Sequence, residues 1–205
     1  MTENNKILSV EKLGIRRSER WLFEDLSFDL SAGEVLQVVG VNGAGKTSLL
    51  RCLCGLLPKA AGQVNWGGNG ELIPLYLGHL PAVKPELTVF ENLKLHPIAG
   101  QFATDEAADK AIIEVELHGY EDEPARTLSA GQTRRVGLAR LLIANTGCWV
   151  LDEPFTSLDV DGCHWLEQQM INYVEKGGSV LLTSHQPLTL LKEPRLLTIN
   201  KQRQI

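Results

Sequence analysis

Apolar residues recur along this chain in two patterns. Short, mostly apolar runs occupy residues 35–39, 72–77, 148–151 and 179–183. Such runs are typical of strands that are buried on both faces of a parallel sheet. Longer stretches between them place apolar residues at helical spacing. Because predicted strands and helices alternate, the pattern indicates an α/β core with right-handed crossovers.

Other segments add to this core. Residues 6–10 and 26–30 predict two strands near the N-terminus, and residues 62–68 predict a short hairpin edge. Residues 82–127 carry no strand signal, so this stretch is predicted to be a mostly helical insertion. Pro58 is expected to end the first helix. The predicted helices span residues 47–57, 88–95, 105–117, 131–143 and 160–174.

The strongest chemical signal follows the apolar run at 35–39. Residues 40–47 read Gly-Val-Asn-Gly-Ala-Gly-Lys-Thr and open a predicted helix, which is the context of a phosphate-binding P-loop. In this arrangement the loop N–H groups and the helix N-terminus face the phosphates. Lys46 then contacts the β- and γ-phosphates, and the Thr47 hydroxyl binds Mg²⁺. The loop residues predicted to bind the nucleotide are Gly40, Val41, Asn42, Gly43, Ala44, Gly45, Lys46, Thr47 and Ser48.

Polar residues end two other predicted strands. Asp152 and Glu153 follow the run at 148–151, and His185 follows the run at 179–183. Ligands of α/β sheets collect at the carboxyl ends of the strands. Asp152 is therefore predicted to bind Mg²⁺, commonly through water. Glu153 is predicted to orient or deprotonate the attacking water, and His185 to donate a hydrogen bond to the γ-phosphate.

Residues 128–132, Leu-Ser-Ala-Gly-Gln, precede another predicted helix; we call them the Ser129 turn. Ser129 is a predicted N-cap, and a small turn with a hydroxyl group at a helix N-terminus is also a phosphate site. Arg134 and Arg135 follow in the first turns of the helix, where the helix dipole disfavours cations. Capping alone therefore does not account for this segment.

Composition restricts the remaining possibilities. The 205 residues are 43% hydrophobic, which suits one domain with a sizeable core. The net charge is −5 without a long basic run, so no nucleic-acid partner is expected. No apolar stretch approaches the roughly 18 residues that span a bilayer, and no secretory signal is visible. The four cysteines are predicted to be reduced packing residues, which suits a cytoplasmic protein.

The order of these motifs resembles the ATP-binding subunits of ABC transporters. The resemblance runs from about residue 8 to residue 198 and includes Ser157-Leu158-Asp159 after the acidic pair. It implies a P-loop NTPase fold in a single domain, 1–205, with a RecA-like parallel-sheet core, an N-terminal antiparallel β subdomain and a helical subdomain at about 82–140. It also implies ATP hydrolysis, with ATP as substrate and Mg²⁺ as cofactor.

The resemblance further implies partners. Two subunits of this family pack head to tail around ATP, which makes the dimer nucleotide-dependent. Ser129, Gly131 and Gln132 of one copy would then contact the γ-phosphate held by the other copy, and Asp159 would link the two sites. Membrane-spanning transporter subunits are the other expected partners. The expected location is peripheral, on the cytoplasmic face of the inner membrane.

Two positions depart from the family pattern. A glutamine that contacts Mg²⁺ and the attacking water is usual before the helical subdomain, and this chain has His79 there. An imidazole can still accept from water or metal, with a pH dependence that an amide lacks. An aromatic residue usually stacks on adenine. Here the matching position is Arg17 or Trp21, and the sequence does not decide between them.

A narrower resemblance concerns residues 76–84, Tyr-Leu-Gly-His-Leu-Pro-Ala-Val-Lys, together with residues 128–136 and 151–159. These segments resemble the ATP-binding export proteins of cytochrome c biogenesis, in which histidine at the glutamine position is ordinary. This resemblance implies that the chain powers heme handling for c-type cytochrome maturation. The alternatives are an ABC ATPase subunit for another transported substrate and a soluble ABC ATPase.

Overall fold

A computed structural model describes residues 5–17, 20–67, 72–98, 101–191 and 194–200. In these ranges the chain forms two sheets and five α-helices, joined by short turns. The strands are β1 (Lys6–Arg17), β2 (Arg20–Ser31), β3 (Val35–Val39), β4 (Ala61–Trp66), β5 (Leu75–Leu77), β6 (Cys148–Asp152), β7 (Ser179–Thr183) and β8 (Arg195–Thr198). The helices are α1 (Lys46–Leu53), α2 (Val89–Lys94), α3 (Asp105–Glu114), α4 (Ala130–Ile143) and α5 (Val160–Glu175).

The larger sheet is parallel, with the strand order β5-β6-β7-β3-β8. Every residue of β6 and β7 is buried, as their apolar sequences require. Strand β7 lies between β3 and β6, although it follows both in the chain. The carboxyl ends of these three strands therefore adjoin at one edge of the sheet. This arrangement confirms the predicted α/β core.

The smaller sheet is antiparallel, with the order β2-β1-β4. The strands predicted at 6–10 and 26–30 are confirmed, but both are longer than predicted. The alternation of apolar and polar residues in these strands breaks where the pairing register of β1 and β2 shifts. Lys12 and Asp25 also have positive φ angles, of 49° and 55°. These irregularities hide the continuation of each strand from a period-two pattern.

Three apolar clusters hold the elements together. One lies between the two sheets and includes Leu13, Leu30 and Leu49, each 0% exposed. A second packs α4 and α5 on the opposite face of the parallel sheet. The third joins α2, α3 and α4 around Leu93 and Ile112. The stretch predicted as a helical insertion thus has its own packed core, to which the face of α4 contributes.

Helix α1 ends earlier than predicted. It stops at Leu53 with Cys54 as C-cap, and Gly55 follows in the left-handed region with φ 71°. Glycine adopts this conformation without a steric penalty, so Gly55 rather than Pro58 terminates the helix. Strand β8 was not predicted, because its exposed edge carries Arg195 and Thr198 instead of an apolar run.

Buried Glu167 of α5 offers a test of the fold by pH. Its carboxylate is 2% exposed and accepts hydrogen bonds from Thr189 (N–H and hydroxyl) and from the N–H groups of Leu190 and Leu191. Burial raises the pKa of Glu167, but these hydrogen bonds together lower it by more. Its pKa in the folded protein therefore lies below the ordinary value of 4.5. The ionised Glu167 carboxylate therefore stabilises the fold fully above pH 4.5. This contribution is lost as the pH falls through the pKa that Glu167 has in the folded protein.

We expect Glu167→Gln to reduce the free energy of unfolding by about 2 kcal/mol at pH 7, because an amide cannot accept all of these bonds. The difference from the wild type should shrink as the pH falls below 4.5. Urea denaturation at pH 7 and at acid pH measures it. The exposed Glu175 of the same helix supplies the control, since Glu175→Gln should have no such effect. An equal loss at both pH values would contradict the role of the ionised carboxylate.

Candidate nucleotide site

The loop between β3 and α1 depends on glycine at two positions. Gly45 is the N-cap of α1 with φ 102°, a left-handed conformation that other residues rarely adopt. A Cβ atom on Gly40 would collide with the carbonyl oxygen of Ile199, which follows β8. The loop is therefore closely packed against the sheet, and its turn leads directly into the N-terminus of α1. No acidic residue lies in the first turn of that helix, so its positive end is available to an anion.

Lys46 is the first residue of α1 and is only 9% exposed. Its Nζ atom donates a hydrogen bond of 2.8 Å to the carbonyl oxygen of Gly40. The ammonium group is thus held against its own loop, at the N-terminus of the helix. An ammonium group has three protons to donate, so Lys46 can also contact phosphate oxygens in this position.

Asp152, at the end of β6, is 1% exposed and lies beside the loop. Its Oδ1 atom accepts hydrogen bonds from the hydroxyl groups of Thr47 at 3.1 Å and Thr183 at 2.9 Å. The structure therefore brings Thr47 and Asp152 together, although 105 residues separate them in sequence. A carboxylate and a hydroxyl are the oxygen ligands that Mg²⁺ prefers, with phosphate oxygens and waters as the others. The residues present fit this ion.

The described residues contain no group of three or more His, Cys, Asp and Glu side chains that could hold a metal by themselves. His79, the third predicted metal contact, is exposed and does not line the cleft beside Thr47 and Asp152. Its role toward the metal stays a prediction.

Glu153 has an unusual backbone. Its φ angle is 50°, in the left-handed region, which costs a non-glycine residue roughly 1–3 kcal/mol. Its N–H donates to the Thr183 hydroxyl at 3.0 Å, and its Oε2 atom accepts from the N–H of His185 at 3.1 Å. The His185 Nε2 atom lies 3.4 Å from Oε1 of the same carboxylate. The two residues predicted to act on water and γ-phosphate are thus in direct contact.

These residues surround one open cleft of about 300 Å³. Glu153, His185, Arg17 and Leu22 line it together with residues of the loop. We call this cavity the nucleotide cleft. The described residues that line it are Arg17, Leu22, Asn42, Gly43, Gly45, Lys46, Thr47, Ser48, Glu153 and His185. Gly40, Val41 and Ala44 belong to the loop but do not line the cleft.

Of the two residues proposed to contact adenine, the structure places Arg17 in the cleft and Trp21 outside it. The Trp21 ring lies 6.0 Å from the guanidinium carbon of Arg16, and a Cβ on Gly14 would lie 3.0 Å from the ring. Successive residues of a strand face opposite sides. Leu22 lines the cleft, so Trp21 is directed away from it. Leu22 was missed because an isolated leucine carries no chemical signal.

The Ser129 turn lies apart from this cleft in the same chain. Ser129 caps α4: its hydroxyl accepts from the N–H of Gln132, whose side chain accepts from the N–H of Ser129. A Cβ on Gly131 would lie 3.2 Å from the carbonyl oxygen of Ser157. Asp159 caps α5 through the N–H of Gly162 at 2.8 Å. The Ser129 turn and the segment of Ser157 and Asp159 are therefore neighbours.

Two arginines follow the Ser129 turn, and the structure explains why the helix dipole does not exclude them. Arg135 contacts Glu116 and lies 3.7 Å from the Oδ1 atom of Asp159. Arg134 is buried and donates to backbone carbonyl groups beside Glu153. The sequence singled out both residues, but it did not indicate these partners.

Two further findings concern the described part of the chain. The four cysteines are free thiols, as predicted, and burial raises the pKa of Cys54 to about 12. No helix in the ranges that the structure covers has both the length and the apolar character to cross a bilayer.

The P-loop, the acidic pair on the neighbouring strand and the capped Ser129 turn together define an ATP-binding subunit of the ABC transporter class. The ABC transporter family profile matches residues 23–156. The chain therefore belongs to the ABC transporter family, as an ATPase that binds and hydrolyses nucleotide.

Two curated relatives cover nearly the whole chain. The cytochrome c biogenesis ATP-binding export protein CcmA of Shewanella sp. (strain MR-4) is 45% identical over 210 residues, which is 97% of this chain and 95% of that protein. The protein of the same name from Escherichia coli (strain K12) is 45% identical over 192 residues, 90% of this chain and 91% of that protein.

Solved structures show the same fold. The ATP-binding subunit of an ABC transporter superposes with a TM-score of 0.84 at 23% identity, covering 96% of this chain and 88% of that one. The dimeric ATP-binding cassette MJ0796, in a post-hydrolysis state bound to ADP and phosphate, superposes with a TM-score of 0.82 at 19% identity. This match covers 96% of this chain and 97% of that one.

Proposed function

We propose that this chain is the ATP-hydrolysing subunit of a transporter that exports or handles heme for c-type cytochrome biogenesis. The observation that carries the proposal is the 45% identity to the cytochrome c biogenesis export proteins over 97% and 90% of this chain. The segments at 76–84, 128–136 and 151–159, which resemble that group, include His79 and the Ser129 turn. We treat residues 1–205 as a single domain with a helical subdomain at about 82–140.

In the proposed reaction, each cleft residue has a separate task. Lys46 contacts the β- and γ-phosphates, and His185 donates to the γ-phosphate as charge accumulates on it. Glu153 orients the attacking water and accepts its proton. Thr47 and Asp152 would hold Mg²⁺, which neutralises phosphate charge when bound. The contact between Glu153 and His185 supports this scheme, because the two groups meet beside the loop.

We assign adenine to the part of the cleft lined by Arg17 and Leu22. A planar guanidinium stacks on an aromatic ring, and a leucine side chain supplies apolar contact on the neighbouring surface. Both side chains line the cleft, and a Cβ on Gly45 of the loop would lie 3.4 Å from the Cβ of Leu22. Trp21 does not line this cleft, and its ring lies near Arg16 and Gly14.

The second half of each site comes from another copy in this proposal. Ser129, Gly131 and Gln132 are separate from the nucleotide cleft of their own chain, as a head-to-tail dimer requires. Each turn would close on the γ-phosphate in the opposite cleft, so that ATP favours the closed dimer by differential binding. Asp159, which lies beside Arg135, would link the two sites.

Membrane-spanning subunits are the proposed recipients of this motion. The surface around residues 79–86 is the proposed contact, since Leu80 is 77% exposed there and follows His79 directly. The chain would then lie peripherally on the cytoplasmic face of the inner membrane. The transported substrate and the direction of transport come from the relatives alone.

Covalent heme staining of c-type cytochromes tests the assignment in cells whose only copy of the gene encodes Lys46→Ala. We expect stained cytochromes to disappear while the apoproteins are still made, because the P-loop ammonium is needed for hydrolysis. Lys59→Ala is the matched control, since Lys59 is exposed and does not line the nucleotide cleft. Normal staining in the Lys46→Ala cells would overturn the heme assignment and favour another transported substrate.

A further inference from the structure

Helix α4 carries two buried arginines whose side chains donate to backbone carbonyl groups. Arg134 is 2% exposed and Arg140 is 4% exposed. Burial lowers the pKa of Arg134 to about 10, with Asp152 acting in the opposite direction, and burial lowers that of Arg140 to about 10. Both therefore remain charged near neutral pH. A buried cation destabilises the fold unless hydrogen-bond acceptors meet its protons.

Arg134 bridges the ends of two neighbouring strands of the parallel sheet. At the end of β5, its Nη1 atom donates to the carbonyl oxygens of Gly78 at 3.0 Å and His79 at 3.2 Å. At the end of β6, its Nη2 atom donates to Glu153 at 2.9 Å and its Nε atom to Pro154 at 3.0 Å. One guanidinium thus joins α4 to the two segments that carry His79 and Glu153.

The bond to Glu153 falls where the backbone is strained. The left-handed conformation at Glu153 turns its carbonyl group toward Arg134, while its carboxylate contacts His185. A conformation of this kind persists only when surrounding contacts impose it. The Thr183 hydroxyl holds the N–H of Glu153, and Arg134 holds its carbonyl oxygen. These two contacts hold the main chain of Glu153 on both sides, while the N–H of His185 holds its carboxylate.

Arg140 has similar chemistry without this contact. Its Nη1 and Nη2 atoms donate to the carbonyl oxygens of Pro81 at 2.7 Å and Ala82 at 3.0 Å. Gly137 lies between the two arginines in sequence, and a Cβ there would lie 2.8 Å from the Cβ of Pro81. Residues 78–82 are therefore held on α4 at several points. Of the two arginines, Arg134 is the one that also bonds to Glu153.

We propose that Arg134 is a positioning residue for hydrolysis, which holds the main chain of Glu153 and makes its placement depend on the orientation of α4. The inference rests on the proposed role of Glu153. Because the Ser129 turn opens the same helix, a displacement of that turn reaches Glu153 through one side chain. Closure of the dimer on one nucleotide would in this way adjust the water-activating group of the neighbouring cleft.

The test compares Arg134→Lys with Arg140→Lys in the full-length chain. Lysine keeps the charge, but its compact ammonium group cannot bridge two strand ends as a planar guanidinium does. We expect Arg134→Lys to lower kcat for ATP about 100-fold with an unchanged KM, since small displacements of a catalytic group have effects of this size. Arg140→Lys should retain kcat within about twofold. Its loss of thermal stability should be comparable to that of Arg134→Lys.

A double variant separates an effect on the position of Glu153 from an effect on folding. Arg134→Lys combined with Glu153→Gln should still form the ATP-dependent dimer, because the Ser129 turn and the P-loop are unaltered. Three results would overturn the inference. The first is loss of that dimer, the second is an equal loss of kcat in Arg134→Lys and Arg140→Lys, and the third is an increase of KM alone. Absence of ATP hydrolysis by the wild type would instead contradict the proposed function. The two failures are therefore distinguishable.

Discussion

Replacing Lys46 with alanine is expected to abolish ATP hydrolysis and to weaken ATP binding. The Lys46 ammonium lies over the loop that receives the phosphates, bonded to Gly40 at 2.8 Å. It would contact the β- and γ-phosphates in both the bound state and the transition state. Loss of one preorganised donor to a reacting group lowers kcat by about 100- to 1,000-fold. Loss of a full charge should reach at least the upper figure.

Phosphate release at saturating Mg²⁺ and ATP measures the first effect, and titration with a fluorescent nucleotide measures the second. The fold should persist, because the Lys46 side chain makes its hydrogen bond within its own loop. Lys59→Ala serves again as the control, with unchanged turnover expected. Wild-type turnover by Lys46→Ala would show that hydrolysis takes place elsewhere, and the assignment of the cleft would have to be abandoned.

The second large effect is expected from Glu153→Gln, which should retain ATP and accumulate as a dimer. A glutamine side chain can still accept the hydrogen bond from the N–H of His185, so the cleft keeps its shape. An amide cannot take the proton of the attacking water, and loss of a general base lowers the rate by about 100- to 10,000-fold. ATP therefore remains between the two copies, and the closed state persists.

Size-exclusion chromatography with light scattering, performed with ATP, with ADP and without nucleotide, measures this dimer. We expect a dimer with ATP alone, because ADP lacks the γ-phosphate that the Ser129 turn would contact. Adding Lys46→Ala to Glu153→Gln should shift the protein back toward the monomer by weakening nucleotide binding. A Glu153→Gln chain that stays monomeric with saturating ATP would count against the head-to-tail arrangement.

The main features of the nucleotide cleft could be predicted from the sequence because each depends on local patterns. The P-loop needs a strand, a glycine-rich turn and a helix in direct succession. Asp152 and His185 could be placed beside it without long-range information, because the carboxyl ends of parallel strands meet at one edge. Contact between Thr47 and Asp152, across 105 residues, follows from this rule.

Other features depend on contacts that no local pattern encodes. The register of β1 and β2 shifts between Ile15 and Arg16, and such shifts change which face of a strand a residue occupies. For this reason the sequence does not show which of Arg17 and Trp21 faces the cleft. The partners of Arg134 come from two strand ends that are distant in sequence. Helix dipole arguments could show that this arginine was unusual, but they could not identify its contacts.

The capping box at Ser129 has a consequence for the cost of association. The Ser129 hydroxyl accepts from the N–H of Gln132 at 3.2 Å, which uses a lone pair and leaves its own proton available to a phosphate. The side-chain oxygen of Gln132 accepts a hydrogen bond of 2.9 Å from the N–H of Ser129. A ligand that meets this turn finds rotamers already ordered, so it avoids about 0.5–1.5 kcal/mol of side-chain entropy for each. The same two hydrogen bonds would thus contribute both to the stability of helix α4 and to the affinity of the dimer. A substitution that removes either bond would lower both quantities.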